Sequence, residues 1–139
     1  MSLKIVKAFT AAIRQNDDLL TALGAINGAG ARIFPVARTD EQEKEDKMPY
    51  LVVIPTGIRT EGSKDDYEQS NIATVEIIVC DQTFEGLVDL ADTVRQTIAQ
   101  HLLQYPEQNI ADYSFSASRV EFDYLRPCYY QTLSYTITI

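Results

Sequence analysis

The side chains best suited to nucleophilic or metal chemistry are few: one histidine, His101, and two cysteines, Cys80 and Cys128. They are far apart in sequence, so none of the usual zinc sets can be assembled from neighbours. His101 stands one turn from Ile98 and beside Leu102, near the end of a helical stretch. An imidazole there interacts favourably with the helix dipole and needs no catalytic task. Each cysteine sits in or beside an apolar, strand-like run and is expected as a small buried hydrophobe. A disulfide between them stays open, although nothing else suggests a secreted, stapled fold.

Carboxylates are abundant, but their spacing is unhelpful for catalysis. Asp65-Asp66 and Asp40-Glu41 lack the ladder spacing of a calcium loop. Asp17-Asp18 suit a helix start better than acid-base work. Gly24, Gly28 and Gly30 form a glycine-rich stretch with no following lysine, which describes a helix end and not a phosphate cradle. No GxSxG occurs. The tyrosines Tyr124, Tyr129, Tyr130 and Tyr135 are not interleaved with Lys or Arg, so packing explains them better than base stacking. We expect no enzymatic activity, no cofactor and no metal.

Composition agrees with that expectation. The 139 residues suffice for a single domain spanning 1–139, with 45% hydrophobic and 23% charged residues. The formal net charge of −8 argues against a phosphate-gripping surface. It suits a wall past which DNA slides without sticking. No apolar run approaches the ~20 residues of a membrane span, and Lys7 and Thr10 interrupt any signal-like core near Met1. The expected location is the cytoplasm of the producing cell.

The elements that must position these residues follow from periodicity. Leu3 to Leu23 has helical spacing, with Leu3, Val6, Thr10, Ile13 and Leu20 on one stripe and Asn16-Asp17-Asp18 as a capping break. Arg32–Val36 is a short extended piece at a sheet edge because of Pro35. Met48–Arg59 and Asn71–Cys80 are β-branched strands flanking a polar hairpin tip, Thr60–Ser70. From Thr83 to Leu103, Phe84, Leu87, Val88, Ala91, Val94, Ile98 and Leu102 predict a helix capped by Asp81 or Thr83. Two strands, Phe115–Tyr124 and Tyr129–Ile139, follow, with Arg126-Pro127 as their turn. The fold class is α+β: a two-layer sandwich of a mainly antiparallel sheet of four to five strands, with two main helices packed on one face.

Several stretches resemble one family. Met48-Pro49-Tyr50-Leu51-Val52-Val53 is similar to the first long strand of bacteriophage tail-terminator (tail-completion, minor tail) proteins. Ala73–Arg95 resembles that family's central strand, aromatic turn and "L-A-D-x-V-R" helix, here Leu90-Ala91-Asp92-Thr93-Val94-Arg95. Tyr129–Ile137 is similar to its last strand, and Leu19-Leu20-Thr21-Ala22-Leu23 to its first helix.

The resemblance implies a structural part of a phage or prophage tail. Such a part forms a homo-oligomeric ring, typically a hexamer, at the head-proximal end of the virion tail. There it stops polymerisation of the tail-tube protein and meets the head-connector protein, while DNA passes through unbound. Assembly would take place in the cytoplasm of the bacterial host, away from any membrane. For its contacts we expect the polar, projecting segments Arg59–Ser70 and Arg38–Met48. The residues singled out there are Arg59, Lys64 and Tyr67 together with Arg38, Glu41 and Lys44. The alternatives are another neck or head-completion protein of the same machine, and a small ligand-binding α+β domain.

Overall fold

Asn16 divides what would otherwise be one amphipathic helix. Its Oδ1 accepts from the Leu19 amide at 3.1 Å, the N-cap bond that starts a new helix. The result is α1 (Ser2–Ile13) followed by α2 (Asp17–Ala22). The computed structural model describes residues 2–27, 29–35, 47–61, 70–103 and 112–138. The remaining elements are β1 (Ile33–Pro35), β2 (Tyr50–Glu61), β3 (Ser70–Asp81), α3 (Phe84–Ile98), β4 (Asp112–Ala117), β5 (Glu121–Asp123) and β6 (Cys128–Thr138). A π-helical turn, Ala99–Leu103, continues α3.

β3 lies at the centre of the sheet and pairs antiparallel with β2 on one side and β6 on the other. The path is β1-β2-β3-β6-β4, with β5 also on β6. β1 is an edge strand, as Pro35 requires, but it runs parallel to β2. Ala73, Val75, Ile77 and Val79 of β3 are buried beneath the helices, and Leu133, Tyr135 and Ile137 of β6 continue that layer. Alternation thus delivers one covered face, the α+β sandwich expected from the sequence.

Three details depart from the expected boundaries. The strand foreseen over Phe115–Tyr124 is cut into β4 and β5, giving six strands. At the cut, the Ser118 amide donates to the Thr132 carbonyl at 2.9 Å and the Ser118 hydroxyl accepts from the Thr132 amide at 3.0 Å. A side chain therefore substitutes for one rung of the ladder. In β2 the register shifts between Pro55 and Gly57, a bulge at a residue that cannot donate to its neighbour. Finally, the buried face of α3 is rotated from the expected stripe: Leu87, Leu90, Ala91, Val94, Thr97 and Ile98 point inward, whereas Phe84 and Val88 do not.

The helices are tied together by polar bonds as well as by packing. Buried Thr97 donates to the Thr93 carbonyl at 2.7 Å and accepts from Nδ2 of the Asn16 side chain at 3.1 Å, so the α2 cap is fastened to α3. At the other end of α3, the Thr83 hydroxyl accepts from the Gly86 amide at 3.0 Å. A Cβ on Gly86 would lie 2.5 Å from a carboxylate oxygen of Asp81 and 2.7 Å from the Thr83 hydroxyl. A side chain at this position would therefore have to displace the Asp81 carboxylate and the capping Thr83 hydroxyl.

Candidate assembly surfaces

The residues that could do chemistry are scattered through the fold. His101 is half-buried in the π-helical turn, while Cys80 and Cys128 are buried thiols on β3 and β6. Asp17 and Asp18 occupy the first turn of α2, where they favour its positive end. Gly24, at φ +91, ends that helix, and the Arg32 guanidinium lies where a Cβ would stand. Asp40-Glu41 and Asp65-Asp66 lie outside the described residues. Among the described residues no three of His, Cys, Asp or Glu gather as metal ligands. A cleft of about 280 Å³ between α2 and α3 is lined by Leu19, Ala22, Pro49 and Leu90 with Asp18 and Asp89. It brings no nucleophile to a base.

Of the contact residues anticipated from the sequence, Arg38, Glu41, Lys44, Lys64 and Tyr67 also lie outside the described residues. Arg59 falls near the end of β2, at the register position opposite Ile72.

The structure adds a surface that sequence reasoning assigned differently. Four large apolar side chains are exposed at the end of the molecule where α3 begins and β5 turns into β6: Phe84 at 51%, Val88 at 42%, Tyr124 at 86% and Leu125 at 94%. Three ring pairs meet edge-on, Phe84 with Tyr129 at 5.9 Å between centroids, Phe122 with Tyr129 at 4.9 Å, and Tyr124 with Phe122 at 5.0 Å. The turn is fixed by Asp123, whose Oδ1 accepts from the Leu125 amide at 2.9 Å and the Arg126 amide at 3.3 Å. An aromatic ridge on a held turn is an interface signature, because isolated exposed hydrophobes carry no such organisation. Its signal in the sequence was Tyr124-Leu125 in a turn where polar residues are usual.

Beside the ridge runs a trough of about 270 Å³ between α3 and the β4 edge, lined by Val88, Ala91, Phe115, Ala117, Val120 and Leu133. The Arg95 guanidinium lies 4.3 Å from the centroid of Phe115, a cation–π contact at the trough wall. β4 itself, Asp-Tyr-Ser-Phe-Ser-Ala, is the last strand on this side among the described residues and contains neither lysine nor proline. The helix-free face of the sheet differs again. Phe34, Tyr50, Val52, Ile78 and Cys80 make a small apolar corner there. Rows of hydroxyls follow it, with Thr74 opposite Thr136 opposite Ser114, and Ser134 opposite Ser116. Glu121 accepts from the Tyr130 hydroxyl and then from Arg119, which holds its carboxyl below the usual range and raises the Tyr130 phenol.

No family model matches the chain, and no curated protein matches it. Among solved structures, the chain is similar to one in "Virion of native gene transfer agent (GTA) particle", with a TM-score of 0.57 and 12% identity. The likeness covers 96% of this chain and 92% of that one, so the two share one fold from end to end.

Proposed function

We propose that this chain is a structural protein of a phage-like virion, with no catalytic role, and that it closes the tail tube. In this reading copies form a ring that ends tube polymerisation and presents a surface to the head connector. The observation that carries it is the end-to-end likeness in fold to a chain of a gene transfer agent virion. The exposed ridge supports it further: a surface of Phe84, Tyr124 and Leu125 on a fixed turn suits a protein that spends its working life covered. The net charge of −8 suits passage of DNA past the ring without retention.

The test is the mass of the purified protein by light scattering over a wide concentration range, alone and with the matching tail-tube protein. Closed oligomers, alone or on tube ends, with tubes shortened to uniform length are the expected result. A monomer that neither binds nor shortens tubes would overturn the reading. The double variant Tyr124→Ser/Leu125→Ser should keep the wild-type melting temperature yet lose tube-end binding at least about tenfold, since truncating an interface anchor removes 2 kcal/mol or more.

A further inference from the structure

We propose that the outward face of α1 on one copy docks against the outward face of α3 on the next, a partner assignment that rests on the ring reading above. Two charge stripes of equal spacing point to it. Lys7 and Ala11 on α1 and Arg14, one residue past its end with its amide bonded to the Thr10 carbonyl at 3.0 Å, are exposed at steps of four and three residues, and no acidic residue occurs in the helix. On α3, Glu85, Asp89 and Asp92 are exposed at the same steps. Each stripe covers about 10.5 Å along its axis at ~1.5 Å per residue. Among the described residues, none of these charged groups makes an ion pair within its own chain.

The neighbouring surfaces fit a helix-to-helix contact. Phe84 and Val88 lie next to the acidic stripe and are half exposed, and Val88 lines the trough together with Asp89 and Asp92, so the α3 face offers apolar area beside its charges. Ala11 in the middle of the basic stripe leaves room for close approach. The two faces also occupy different flanks. α1 packs over β2 and β3, on the β1 side of the helical layer, while α3 packs over β3 and β6, towards β4. A contact from one flank to the other is heterologous, and it closes into a ring when its rotation divides the circle. Two copies in this relation bring opposite charges together despite a net charge of −8 each.

Charge reversal with rescue tests this, using the full chain under whichever condition the wild type assembles, alone or on tube ends. Lys7→Glu/Arg14→Glu should raise the concentration for half-assembly at least about tenfold, because like charges then face each other. Asp89→Lys/Asp92→Lys should do the same, and the chain carrying all four substitutions should assemble again. Neutral Lys7→Gln/Arg14→Gln should fall between, and melting curves check that every variant folds. If the wild type assembles and either reversal leaves it unchanged, or the fourfold chain stays apart, the α1–α3 contact is overturned while the ring reading stands. If the wild type assembles neither alone nor with tubes, both fall.

Discussion

The two faces of the sheet are made by the same strands, one residue apart, and their surroundings could hardly differ more. Under the helices, Val75, Ile77, Val79, Leu133 and Ile137 are fully enclosed, and Tyr135 packs against Phe9 at 5.2 Å and Phe115 at 4.9 Å. On the other face, among the described residues, the corner around Tyr50, Val52 and Cys80 is closed, and hydroxyl side chains occupy the rows beyond it. The contrast separates two jobs. The covered face holds the domain together. The open face, the ridge and the β4 edge leave more side chains exposed and are freer to be shaped for contact.

That division can be broken at its strongest point first. Ile77→Ala on the covered face should cost about 2–5 kcal/mol in urea unfolding, the range for a buried aliphatic side chain whose cavity cannot collapse. A loss below 1 kcal/mol would show that the helices are not what closes this face.

Tyr135 sharpens the comparison through pH. Its hydroxyl is buried and has no hydrogen-bond partner among the described residues, and burial pushes its pKa up to about 12. The phenol is thus kept neutral in the folded state, while in the unfolded chain it ionises near the ordinary value of about 10. Its contribution to stability is full below pH 10 and is lost as pH rises to 12, on the order of 2 kcal/mol. Tyr135→Phe should remove that alkaline loss and leave neutral-pH stability unchanged or raised by about 1 kcal/mol. Equal alkaline slopes for the two proteins would contradict the burial.

On the open face the expected effects are smaller. Thr136→Val, in the hydroxyl rows, should shift stability by no more than about 0.5 kcal/mol in the same unfolding assay. Least of all is the Glu121–Tyr130 pair. Glu121 is depressed, so what it contributes is present above its ordinary pKa and fades as pH falls through the folded value. Tyr130→Phe should flatten the acid side of the stability profile slightly and leave the neutral region alone.

Much of this frame could be read from the residues. The alternation of Ala73, Val75, Ile77 and Val79, and of Leu133, Tyr135 and Ile137, is visible in the residues and coincides with the buried set because both strands have one covered face. Asn16 was recognisable as a break because its side chain competes with the backbone for the same amides. What escaped were features decided by partners far along the chain. The Ser118 interruption depends on Thr132, and the parallel pairing of β1 depends on which edge of β2 is free. The exposed part of the α3 stripe was hidden for a related reason: helical spacing says which residues share a face, and only the packing against the sheet says how many of them are covered. Val88 lines the open trough with Phe115 and Leu133, and Phe84 stands at the start of the helix, edge-on to Tyr129.

β4 has a consequence for handling the protein. Natural sheets blunt their outer strands with lysine, proline or bulges to stop unwanted pairing, and Asp112–Ala117 carries none of these. In dilute, low-salt buffer the charge of −8 keeps copies apart. Salt shortens the reach of that repulsion to about 8 Å at physiological strength. Concentrated stocks would then cloud on addition of salt, a colloidal instability that clears when the strand is covered. Turbidity would be the cheapest sign, at the bench, that this molecule is built to be kept in company.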